Sequence, residues 1–181
     1  TPSGDDTTLG VRYWVVDDHF NASDATAPIF LGLGGEAGVD GAQVQCPGLA
    51  SVHGALCVQT EHRFYGESWP NNRSLDAFKT GLTVEQSLAD TSAILDAVQA
   101  AYPSPAGPRP VIAFGGSYSG ALCAWFRQAY PDQAAGCVAQ SAVDLVVKVR
   151  RLIAVKPAVD GLAASARAGR VARLRDKLLL D

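Results

Sequence analysis

Apolar positions in this sequence come first in short runs and then with a helical period. Residues 11–16 (Val-Arg-Tyr-Trp-Val-Val) are rich in β-branched and aromatic side chains and stop at Asp17-Asp18, which predicts a strand running into a turn. Residues 28–33 form a second apolar run, ended by Gly34-Gly35. Residues 55–60 form a third, followed by the polar and aromatic stretch 61–69 and a Pro-Asn-Asn turn. None of these runs has the length of a helix. Thr83-Val84-Glu85-Gln86 opens the first helix, with Thr83 as N-cap and Gln86 as its capping-box partner. Leu88, Ile94, Leu95 and Val98 give that helix an apolar face up to Tyr102, and Pro103 ends it. A Pro-rich loop leads to Val111-Ile112-Ala113-Phe114, an unbroken run of the kind buried on both faces of a parallel sheet. Gly115-Gly116-Ser117-Tyr118-Ser119-Gly120 comes next, then a helix over 121–130 up to Pro131, then a buried strand over 136–142. Strands alternating with helices after an all-strand start predict an α/β domain with a mainly parallel sheet.

Composition limits what such a domain can be. The chain has 181 residues, 48% of them hydrophobic and 18% charged, enough for one core of ordinary size. A mean hydropathy of +0.07 argues against disorder, and no apolar run nears the roughly 18 residues of a membrane span. The formal charge of -3 offers no concentrated basic surface for nucleic acid. That average conceals a break: residues 1–145 hold 6 Lys+Arg against 15 Asp+Glu, whereas residues 146–181 hold 9 against 3. Two segments of different character are expected, a body over 1–145 and a basic Ala/Arg/Leu-rich tail over 146–181. The tail reads as a basic helix with Val171, Leu174 and Leu178 along one edge, or as a solvated, poorly ordered extension.

Cys46, Cys57, Cys123 and Cys137 show neither a Cys-x-x-Cys pair nor a histidine at ligand spacing, so no metal site is expected, and no cofactor is implied. One or two disulfides and buried thiols both remain open readings. Asn21-Ala22-Ser23 and Asn72-Arg73-Ser74 are sequons that would accept glycan in a secretory compartment.

Ser117 carries the candidate chemistry. It stands between a buried strand and a helix, flanked by glycines, as a nucleophile elbow requires: the turn is so sharp that small residues must surround the serine, whose oxygen then projects at a helix N-terminus. The backbone N–H of Tyr118 would be one oxyanion donor, and the loop Gly34-Gly35-Glu36-Ala37 after the second strand is placed in chain order to supply the other. The order of elements is that of an α/β-hydrolase up to its sixth strand. A strand, Gly-Gly-Ser, helix turn also occurs in nucleotide-binding α/β folds, but here no Lys follows the glycines and the dinucleotide Gly-x-Gly-x-x-Gly spacing is missing. Ser119 stands where the Gly-x-Ser-x-Gly pattern has its second glycine.

Four blocks narrow the reading: Pro28-Ile-Phe-Leu-Gly-Leu-Gly-Gly-Glu36, Glu61-His-Arg-Phe-Tyr-Gly-Glu-Ser68, Glu85-Gln-Ser-Leu-Ala-Asp90 and Gly115-Gly-Ser-Tyr-Ser-Gly-Ala-Leu-Cys-Ala-Trp-Phe-Arg127. In order and spacing they resemble the family of prolyl carboxypeptidase, dipeptidyl peptidase II and thymus-specific serine protease, over roughly residues 10–145. The resemblance implies that Ser117 is the nucleophile and that Tyr118 and the Gly35 region line the oxyanion site. It further implies a peptide substrate cut beside proline or a small residue near one terminus, and a secreted, lysosomal or vacuolar location. Carboxypeptidase and dipeptidyl-peptidase specificity both stay open.

In this fold the catalytic Asp and His follow the serine in chain order. His19, His53 and His62 all precede Ser117, and none follows it. Asp132, Asp144, Asp160, Asp176 and Asp181 are available, but an Asp without its His completes no relay. His62 lies inside a family block that does not supply the catalytic histidine, and is expected to have a structural role or to support the residues around the site. The chain is therefore expected to be the N-terminal part of a serine exopeptidase, with little or no activity as it stands. Two other readings are a non-catalytic binding protein on the same scaffold and an esterase or lipase of the same fold.

Overall fold

The computed structural model describes residues 9–41, 44, 46–70 and 74–142. The five runs read as strands are five observed strands: β1 (Tyr13–Val16), β2 (Ile29–Gly32), β3 (Leu56–Thr60), β4 (Val111–Gly116) and β5 (Gly136–Gln140), the last partly exposed rather than buried as its apolar run implied, with Val138 51% exposed. They form one sheet in the order β1-β3-β2-β4-β5. β3, β2, β4 and β5 run parallel, and β1 is an antiparallel edge paired with β3. Every residue of β2 and β3 is buried, which is why these strands read as unbroken apolar runs rather than alternating ones.

One face of the sheet carries Ile29, Leu31, Leu56, Val58, Val111 and Ala113 against α3 (Val84–Ala101) and α4 (Tyr118–Ala129). Leu88, Ile94, Leu95 and Val98, the periodic set of α3, are all buried there beside Leu122 and Phe126 of α4. The opposite face packs Phe30 and Cys57 against Cys46 and Ala50, the latter on α1 (Pro47–His53). β2 has β3 on one side and β4 on the other, so the direction of winding reverses at β2. In parallel α/β sheets such a switch point leaves a crevice beyond the carboxyl ends of the strands. Gly32 of β2 stands opposite Phe114 of β4, and the N–H of Leu33 donates to the Phe114 carbonyl at 2.9 Å, so the loops leaving both strands emerge side by side.

Two short helices depart from the sequence reading, α1 and α2 (Leu75–Gly81), each of seven residues and too short to show a period. Their punctuation was present nonetheless: Pro47 opens α1, Gly54 closes it in a left-handed conformation, and the hydroxyl of Ser74 accepts the Ala77 N–H at the start of α2. The capping box at α3 is half realised. Thr83 Oγ1 accepts the Gln86 N–H at 3.2 Å, but the Gln86 side chain does not return to Thr83; it turns into the protein and accepts from Arg63. α4 starts at Tyr118, three residues earlier than the apolar pattern implied, because the elbow itself is its first turn. The expected tail over 146–181 lies outside the described residues, as do Asn72, Asp144, Asp160, Asp176 and Asp181.

All four cysteines are paired. Cys46–Cys57 ties the start of α1 to β3, and Cys123–Cys137 ties α4 to β5. The second bridge closes a loop of 14 residues and holds the last described strand to the helix that starts at Ser117. A loop of this length is worth about 3 kcal/mol in the chain-entropy account. Cys123→Ala/Cys137→Ala is accordingly expected to lower unfolding stability by about 3 kcal/mol in urea titrations; an unchanged midpoint would show that the bridge does not form.

Candidate active site

Ser117 occupies a conformation that L-residues seldom adopt, φ 55° and ψ −124°, between the end of β4 and the start of α4. Such backbone costs on the order of 1–3 kcal/mol and persists only where its surroundings enforce it. Three features do so. A Cβ on Gly115 would lie 2.0 Å from the Ser119 carbonyl oxygen, so the strand end and the first helical turn approach as only glycine permits. The Ser117 N–H donates to the Gln140 carbonyl of β5 at 2.9 Å, and the Ser117 carbonyl accepts the Ala121 N–H at 3.2 Å. Ser119 Oγ accepts the Gly116 N–H at 3.0 Å and donates to the Gly116 carbonyl at 2.8 Å, closing the turn from inside. The serine in place of the pattern's second glycine is thus accommodated, and its hydroxyl fastens the bend. Ser117 itself is exposed at the carboxyl end of the sheet.

The glycine loop reaches the same place. A Cβ built on Gly35 would stand 3.6 Å from Ser119 Cβ, so Gly35 borders the first turn of α4. The Gly34 N–H is engaged by Thr60 Oγ1 at 3.2 Å. Ser117, Tyr118 and Gly35, named from the sequence, are therefore brought together. Asn21 lies far from them in the fold order, exposed in the turn after β1, where its side-chain oxygen accepts the Ser23 N–H at 3.2 Å.

What the sequence reading missed is how the stretch after β3 is used. Glu61, His62 and Arg63 are all buried despite their polarity, and each is committed to a different neighbour. The Glu61 carboxylate accepts from Arg12 Nη2 at 2.8 Å and Nε at 3.0 Å, from Ser68 Oγ at 2.6 Å, and from the N–H groups of Val39 at 2.9 Å and Glu67 at 3.2 Å. Burial alone would raise its pKa, but these bonds outweigh burial and hold it at about 2. Gly66, at φ +54°, lies directly against this carboxylate, where a Cβ would meet Oε1. Arg63 makes a fork with Asp90, Nε to Oδ2 at 2.6 Å and Nη2 to Oδ1 at 2.7 Å, and Nη1 also donates to the Gly81 carbonyl and to Gln86. His62 sits between them, with Nδ1 2.7 Å from the Arg63 carbonyl and Nε2 3.2 Å from the Tyr118 hydroxyl. The signal that could have exposed this arrangement was three charged or titratable residues directly after a buried strand, with no Gly, Pro or Asn between to mark a surface loop.

His53 packs edge-on against Phe30 on the far face of the sheet, and His19 is exposed in the turn after β1. Burial, together with the Arg63 charge, pushes the His62 imidazole below its ordinary pKa, against the opposite pull of the Arg63 carbonyl, Asp90 and Glu36. Burial, with Tyr65 and Glu36 adding to it, holds the Tyr118 phenol above the usual range.

A family model described as Serine carboxypeptidase S28 matches residues 3–150. Thymus-specific serine protease of Mus musculus is 36% identical over 143 residues, covering 77% of this chain and 28% of that protein. Lysosomal Pro-X carboxypeptidase of Mus musculus is 45% identical over 93 residues, 49% of this chain and 18% of that protein. The chain thus spans less than a third of the length of these relatives. Among solved structures, Est1E from Butyrivibrio proteoclasticus with ferulic acid bound superposes with a TM-score of 0.56 at 12% identity, over 79% of this chain and 53% of that one. At such identity the likeness speaks for the fold, an α/β-hydrolase sheet.

The Glu61 cluster makes stability acid-sensitive in a defined direction. A carboxyl lowered from 4.5 to about 2 contributes stability that is full above pH 4.5 and is lost as the pH falls toward 2. Glu61→Gln, which removes the charge that accepts from Arg12, Ser68 and the Val39 and Glu67 N–H groups, should lower stability at pH 7. It should also flatten the decline of stability between pH 4.5 and 2, as followed by urea unfolding at a series of pH values; an unaltered acid limb would show that another group is responsible.

Proposed function

Since this chain belongs to the serine carboxypeptidase S28 family, we propose that it carries the nucleophile and oxyanion portion of a serine exopeptidase. The observation that carries the proposal is the strained Ser117 backbone at the end of β4, with the glycine loop beside it. In this reading Ser117 Oγ attacks the carbonyl of a peptide bond near a chain terminus, beside proline or a small residue. The collapsing tetrahedral centre releases the amine and leaves an acyl-enzyme that water hydrolyses. The negative oxygen is held by the Tyr118 N–H, at the positive end of α4, and by an N–H of the Gly35 turn. The engagement of Gly34 by Thr60 supports Gly35 and its successors as the free donors.

The proton of Ser117 needs a base. The 181 residues hold no histidine after Ser117, and His62 is occupied by Arg63 and Tyr118, so the base is assigned to residues other than these. Two disulfides, an exposed Asn21 sequon and the name of one relative favour a secreted or lysosomal/vacuolar setting with glycan on Asn21 and Asn72. Hydrolysis of esters draws support from fold likeness alone.

The 181-residue chain is expected to hydrolyse neither prolyl peptides nor short acyl esters faster than its Ser117→Ala variant; turnover lost in that variant would place a working base within these residues. Contiguous cDNA read past codon 140 supplies the complementary arm. If the frame continues to an Asp and a His, the longer chain should cleave prolyl peptides, and Ser117→Ala should lower its kcat by at least about a thousandfold. For the glycan, chain secreted from a eukaryotic host should gain mobility on treatment with an N-glycosidase, and Asn21→Gln should reduce that gain.

A further inference from the structure

Three consecutive side chains after β3 serve three neighbours, and only the middle one reaches the elbow. His62 is 3% exposed. The Arg63 carbonyl 2.7 Å from its Nδ1 can only accept, so Nδ1 bears the proton and Nε2 presents a lone pair to the Tyr118 hydroxyl at 3.2 Å. The imidazole also meets Tyr65 edge-on at 5.3 Å and the Tyr118 ring at 5.5 Å, so its plane is fixed by packing as well as by hydrogen bonds. Tyr118 follows the strained Ser117 directly and opens α4. Its backbone N–H and its side chain hang from one Cα, so holding the phenol limits how that N–H can turn.

We propose that His62 is a positioning residue of the elbow: by accepting the Tyr118 hydroxyl while anchored to the Arg63 carbonyl, it fixes the residue whose N–H faces the reacting oxygen. This rests on the reading of Tyr118 as the oxyanion donor given above. His62 makes no contact with substrate in this role and does not take the proton of Ser117. The groups that set the state of the imidazole are Arg63, Asp90, Glu36, Tyr65 and Tyr118. Burial and the guanidinium keep it neutral at pH 7, the form that can accept. Acid sufficient to protonate it turns Nε2 into a donor, and the phenol must then turn away or bond through its oxygen.

Nitrogen NMR of the ¹⁵N-labelled 181-residue chain tests this without any turnover. At pH 7 the His62 ring should show a protonated Nδ1 and an unprotonated Nε2 moved by a hydrogen bond. Tyr118→Phe, which leaves His62 in place, should return Nε2 to the position of a free lone-pair nitrogen. His62→Phe should displace the Ser117 and Tyr118 backbone amides and speed exchange of the Ala121 amide, in the first turn, by about tenfold, the effect of losing one hydrogen bond. His62→Gln, whose side-chain oxygen can stand where Nε2 stood, should restore both. An Nε2-protonated ring, an Nε2 resonance indifferent to Tyr118→Phe, or elbow amides that do not move in either Phe variant overturns the proposal. Should His62→Phe fail to fold, Tyr118→Phe decides through the ring and the Ser117 amide. A Ser117 that proves not to be a nucleophile would leave these resonances as expected, so the two readings fail separately.

Discussion

The Glu61 carboxylate is the point on which the site's surroundings depend. It is withdrawn from water, and such a charge persists only when every lone-pair direction is satisfied. Here four partners come from three places along the chain: Arg12 before β1, Val39 just after the glycine loop, and Glu67 and Ser68 in the turn after β3. Remove the carboxylate and these segments keep the Arg12 bonds to Ser68 Oγ and the Val39 carbonyl, at 2.9 and 3.4 Å, to join them. Put a side chain on Gly66 and the carboxylate has no room. The glycine loop that borders the elbow is thus held at its far end by a buried ion, while Thr60 Oγ1 holds it at the near end through Gly34.

Ser117 is strained, and the strain is supported from the sheet as well as from the first turn of α4. β5 receives the Ser117 N–H through Gln140, and β4 brings Gly115 within a distance of Ser119 that tolerates no Cβ. The disulfide Cys123–Cys137 joins the same helix and strand one turn further on. A cost on the order of 1–3 kcal/mol at one residue is modest beside the burial of β4, α4 and β5 against each other, so the native state can carry it.

Much of this was legible. The runs of β2 and β3 were found because parallel strands covered on both faces must be apolar throughout, and α3 because its buried residues recur with its turn. The elbow was legible because so sharp a turn at a strand end admits only small residues around its serine, and such crowding by glycine is visible in the sequence. α1 and α2 were not legible, since seven residues make barely two turns and their caps alone marked them. The fate of Gln86 was hidden for a different reason: local capping and the long-range demand of Arg63 competed for one amide, and no local pattern reports which prevails. The cysteine pairing was likewise undecidable from spacing, because Cys57 and Cys123 are as buried as free thiols would be.

The four blocks that carry the family resemblance prove to be one physical unit. Glu61 reaches the first block through Val39 just beyond it, His62 the fourth through Tyr118, and Arg63 the third through Gln86 and Asp90. The turn after β3 is therefore a hub, whose charged and polar side chains reach the glycine loop, the first turn of α4 and α3. A substitution there removes a bond to the glycine loop, to the first turn of α4 or to α3. Such bonds also limit what the described residues can do alone. They hold the Ser117 backbone through Gln140 and engage His62 between the Arg63 carbonyl and the Tyr118 hydroxyl.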